Sequence, residues 1–137
     1  MSRDSTTIFA AFFCICSLAV AGIEPSLSGS WSTPEKPGGS FTLFLTQTGD
    51  AVTGYHTAIA HRGNRIDAIL AEDGNPSITG TFTNGVARVN FKSGYSDVTG
   101  QAEIVLKDGM VTWTILHKSS GGCYIPEHAV LHRDKSK

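Results

Sequence analysis

The chain has 137 residues, enough for one domain with a sizeable core. Its formal net charge is -1 and no basic stripe runs through it, which excludes nucleic acid as the partner. Apolar residues make up 40% of the chain and recur with a period, so an intrinsically disordered protein is excluded too.

Residues 8–20 (IFAAFFCICSLAV) are apolar or small. The run is too short to span a membrane and fits the apolar core of a secretory signal. Ala19-Val20-Ala21 supplies a small-x-small cleavage site, so residues 1–21 are read as a signal peptide and 22–137 as one domain, secreted or periplasmic, with no membrane contact after cleavage. Cleavage removes Cys14 and Cys16. Cys123 then stands alone, and the domain must hold together by packing.

Residues 27–33 read as a short first strand around Trp31, followed by a loop at 34–39 (PEKPGG). Residues 41–47 alternate, and 51–60 form the return strand after a turn at Gly49-Asp50. A two-residue turn pairs Leu43 with His56, and a three-residue turn pairs Leu43 with Tyr55. That register decides whether Tyr55 or His56 points inward. Residues 65–72 are the next strand, with Ile66, Ala68 and Leu70 on one face.

The clearest hairpin is built on Asn84-Gly85, which matches a type I′ turn. It pairs Phe82 with Ala87, Gly80 with Val89 and Ile78 with Phe91. A second turns at Asp108-Gly109 and pairs Leu106 with Val111, Ile104 with Trp113 and Ala102 with Ile115. Residues 123–132 read as a last strand interrupted by Pro126. Cys123 is read as a small buried hydrophobe at its start. Eight or nine short strands joined almost entirely by hairpins predict an all-β antiparallel meander closing into an up-and-down barrel. Such a barrel can hold one small ligand at its mouth.

Gly29-Ser30-Trp31, Gly39-Ser40-Phe41, Gly49 and Val52-Thr53-Gly54-Tyr55-His56-Thr57-Ala58 resemble the opening strands of avidin and streptavidin. The resemblance covers about the first third of the mature domain and implies a calycin-like barrel with a ligand pocket. Residue by residue, it implies that Tyr55 and Thr57 stand for the family's pocket Tyr and Ser, and Thr33 for its first-strand Asn. Trp113 is the single Trp after Trp31, and the family's closing Asp has no clear counterpart, Glu127 being only a loose stand-in. Biotin binding, if any, is therefore expected to be far weaker than in that family.

Five histidines invite a metal reading. His128 and His132, four apart on a strand, are about 13 Å from each other, too far for one zinc. No His-x-His pair or Cys/His cluster occurs, and no metal or cofactor is expected. His117 falls in phase with Trp113 and Ile115, which puts it on the inner face near a strand end as a group to orient a ligand. No nucleophile elbow, paired carboxylates or phosphate loop is present, so no catalytic residue is assigned. His61-Arg62-Gly63-Asn64-Arg65 is a basic loop tip, either merely solvated or a contact for an anionic partner.

The leading expectation is a non-enzymatic barrel binding a small molecule through Thr33, Tyr55, Thr57, Trp113 and His117. The first alternative is a protein-binding barrel, such as a hydrolase inhibitor, acting through a loop at 34–39 or at Gly121-Gly122. The second is a small-barrel cyclase or isomerase. Homo-oligomerisation is open. A hollow interior favours the first reading, and a filled barrel with a projecting loop the second.

Overall fold

The computed structural model describes residues 25–135; residues 1–21, expected from sequence to be a signal peptide, lie outside them with Cys14 and Cys16. Nine strands follow one another: β1 (Gly29–Ser32), β2 (Ser40–Thr48), β3 (Ala51–Ala60), β4 (Arg65–Ile69), β5 (Ile78–Thr83), β6 (Val86–Lys92), β7 (Thr99–Lys107), β8 (Met110–Lys118) and β9 (His128–Arg133). All pairings are antiparallel, and β9 returns to β1. The result is a closed eight-stranded barrel plus one extra strand, β4, with no α-helix among the described residues. The first half of β3 pairs with β5 and the second half with β4.

The lower end is closed by tight turns. Asn84 and Gly85 have φ of 54° and 83°, and Asp108 and Gly109 have 53° and 75°. Positive φ at both central positions gives a turn whose twist matches that of the flanking strands. The predicted pairs of both hairpins are observed. The upper end carries the longer connections: 33–39, 61–64, 93–98 and 119–127.

The inward faces fill the barrel. Trp113 is fully buried between Phe41 and Phe91, whose rings meet it edge-on at centroid distances of 5.4 and 5.6 Å. Leu27 and Trp31, both fully buried, plug the lower end, where the Trp31 Nε1–H donates to the Leu27 carbonyl at 2.9 Å. Every buried side-chain nitrogen and oxygen among the described residues has a hydrogen-bond partner.

Four local expectations are corrected. In β4 the inward residues are Asp67 and Ile69, while Ile66 and Leu70 are exposed. A buried hydrogen-bond network claims Asp67, and the register that brings it inward turns Ile66 outward. Residues 123–127 are loop rather than strand, since β9 begins at His128. Cys123 is half-buried in that loop, packed against the core. Finally, β8 carries a bulge. Ala102 pairs with Ile115 but Gln101 pairs with His117, so Leu116 is an extra residue and the alternation flips. His117 consequently faces out, where its Nε2 lies 3.0 Å from Gln101 Oε1.

We expect Trp113→Ala to cost about 3–5 kcal/mol, the usual range for deleting a buried large aromatic. Denaturant melts check this; a loss under about 1 kcal/mol would contradict a filled interior.

Candidate functional site

β2 and β3 adopt the two-residue turn, with Leu43 opposite His56 and Phe44 opposite Tyr55. His56 therefore points inward. Its Nε2–H donates to Asp67 Oδ1 at 2.8 Å, and its Nδ1 lies 2.8 Å from Ser77 Oγ. Asp67 also accepts the Ser93 hydroxyl at 2.6 Å and the backbone N–H groups of Gly94 at 2.7 Å and Tyr124 at 3.1 Å. One carboxylate thus joins β3, β4, the 93–98 loop and the 119–127 loop. Burial alone pushes its pKa up. The donors from His56, Ser93, Gly94 and Tyr124 outweigh that and hold it at about 2, below the ordinary 3.8. Ser77, His56 and Asp67 are the residue types of a hydrolytic triad, but they are sealed from solvent, with exposures of 3%, 1% and 0%.

Above this network stands the rim. The 34–39 connection folds into a small hairpin closed by the Lys36–Gly39 bridge. It is fastened to the neighbouring turn by the Arg62 N–H, which donates to the Gly38 carbonyl at 3.2 Å. Gly39 is required there, because a Cβ would fall 2.1 Å from the Ile59 carbonyl oxygen. His61 and Arg62 both hold positive φ, at 53° and 57°, a conformation that side chains other than Gly disfavour. The His61 ring meets Tyr124 edge-on at 5.5 Å, and Tyr95 meets Tyr124 at 4.7 Å. The basic tip is therefore a fixed turn buttressed by aromatics.

Beside the hairpin an open cleft of about 530 Å³ separates residues 33–41 from β9. Phe41, Pro126 and Ala129 contribute its apolar surface, and Tyr124 borders it. Among its lining residues Lys36, His128 and His132 are basic and none is a carboxylate.

The five candidate site residues are not brought together. Trp113 is a fully buried core wall whose Nε1–H donates to the Pro126 carbonyl at 2.9 Å. Tyr55 and Thr57 face outward from β3, opposite Phe44 and Thr42. His117 lies on the outer wall beside Lys118. Thr33 alone lines the cleft, where its Oγ1 accepts the Phe41 N–H at 3.0 Å. The residues that sequence reasoning missed are Asp67, Ser77, Ser93 and Tyr124. No group of three His, Cys, Asp or Glu converges as a metal site among the described residues, and no helix among them is long and apolar enough to cross a membrane. No protein family, curated protein or solved structure matches this chain.

Asp67 has a depressed folded pKa, so its contribution to stability is fully present above about pH 3.8 and is lost as the pH falls through about 2. The shift corresponds to roughly 2 kcal/mol. Acid titration of the denaturation midpoint should show that loss in the wild type, and a markedly smaller one in Asp67→Asn, which should itself be destabilised at neutral pH.

Proposed function

We propose that this chain is a non-enzymatic binding protein that engages a partner protein through the upper rim of its barrel. The observation that carries this reading is the filled interior. With Trp31, Trp113, Phe41 and Phe91 packed inside, ligand recognition falls to the outside surface. The hairpin at 34–39 is held by the Lys36–Gly39 bridge and the bond from Arg62, so little conformational entropy is lost when a partner orders it. Tyr95, half exposed, with Tyr124 beside it, supplies the aromatic surface typical of interface anchors. Lys36, Arg62 and Arg65 give the rim a basic character, relieved by Glu35. This is the loop-acting alternative anticipated from sequence, and inhibition of a hydrolase is one activity it would support.

Immobilised protein should capture a defined set of extracellular proteins from the source organism, quantified by mass spectrometry. Lys36→Glu and Arg62→Glu should each reduce that capture at least tenfold, about 1.4 kcal/mol. Lys107→Glu, at the lower end, should leave it unchanged. Capture indifferent to both rim substitutions would contradict the proposal. So would calorimetric titration showing submicromolar binding of biotin or another small molecule with no protein captured.

A further inference from the structure

The seam that closes the barrel is incomplete. β9 pairs with β1 only through Trp31–Arg133 and Ser32–His132. Continuing that register would place Pro34 opposite Val130, but proline has no N–H to donate. The preceding Thr33 is committed to β2 instead: its N–H donates to the Phe41 carbonyl at 3.0 Å, and its hydroxyl accepts the Phe41 N–H. The chain then leaves into the rim hairpin, and the β1-facing edge of β9 is left without a strand neighbour along its first four residues.

Alternation along an antiparallel ladder shows which groups this leaves free. The Ile115 N–H donates to the Glu127 carbonyl, and the Asp134 N–H donates to the Ser30 carbonyl. By the first bond, Glu127, Ala129 and Leu131 turn their backbone groups toward β8. By the second, Asp134, His132, Val130 and His128 turn theirs toward β1. Only His132 and the residues after it find β1 there. The N–H and C=O of His128 and Val130 therefore point into the cleft. An unpaired strand edge beside an apolar floor is a template for another strand.

We propose that the partner adds a short extended segment to β9 in this cleft, and that the segment is acidic. This rests on the rim-binding reading and specifies its mode. Four residues at about 3.3 Å each would lie against positions 128–131. Alternate side chains would point inward, over Phe41 and Ala129, and the others outward past Lys36, His128 and His132. A lining with basic groups and no carboxylate is complementary to acidic side chains in that outward row. The same charge pattern disfavours a second copy of this chain, whose cleft would bring like charge to like.

The test uses two blocked hexapeptides, acetyl-(Val-Asp)3-amide and acetyl-(Val-Lys)3-amide, titrated into isotope-labelled protein at low salt. The acidic peptide should move the amide resonances of His128 and Val130 and bind at least tenfold more tightly than the lysine peptide. Added salt should narrow that difference. Lys36→Glu should reverse the preference. N-methylation of alternate peptide nitrogens, which removes donors without altering the protein, should abolish binding. Equal affinity for both peptides, unmoved His128 and Val130 resonances, or concentration-dependent self-association through β9 would each overturn the proposal. A partner captured through the rim that leaves those two resonances in place would refute strand addition while leaving the rim reading intact.

Discussion

A carboxylate with no exposure must find donors for its oxygens or be driven to protonate. Asp67 finds four, and they come from separate parts of the chain. Satisfying it fixes the inward face of β4, pins the 93–98 loop by Ser93 and Gly94, and pins the 119–127 loop by Tyr124. The Gly94 contact is close enough that a Cβ would sit 2.0 Å from the Ala68 carbonyl oxygen, so that loop lies directly on β4. Tyr124, placed by its backbone, in turn supports His61 and Tyr95. The rim is thus rigid because of what lies buried beneath it.

The same division between a sealed interior and an accessible edge organises the function we propose. Inward side chains fill the barrel as a core, so the strands serve as a scaffold. What remains for recognition is the periphery, where loops on a rigid frame commonly carry function. The departure of the chain at Thr33 and Pro34 produces both features of that periphery: it starts the projecting hairpin, and it leaves the β1-facing edge of β9 open beside it.

Much of the barrel was legible in the sequence, because period-two alternation and the Asn84-Gly85 and Asp108-Gly109 turns act locally. Pairs such as Ile104 with Trp113 follow once the turn type is fixed. The network was less legible. His56 falls in phase with Val52 and Ala58, a sign that it points inward, yet its partners Asp67 and Ser77, and the Ser93 hydroxyl that completes the network on Asp67, come from other segments of the chain. Ile66 and Leu70 made the wrong face of β4 look like the core, since apolar count says nothing of a carboxylate that four donors make worth burying. His117 was misplaced by one bulge, which no turn residue announces and which reverses every later side chain.

Residue-resolved hydrogen exchange in the free protein tests the open seam most directly. Within β9 we expect an alternating pattern: the amides of Ala129 and Leu131, bonded to β8, should exchange orders of magnitude more slowly than those of His128 and Val130, which face the cleft. Uniform protection across all four residues would mean that the seam is closed, and would contradict a binding edge at β9.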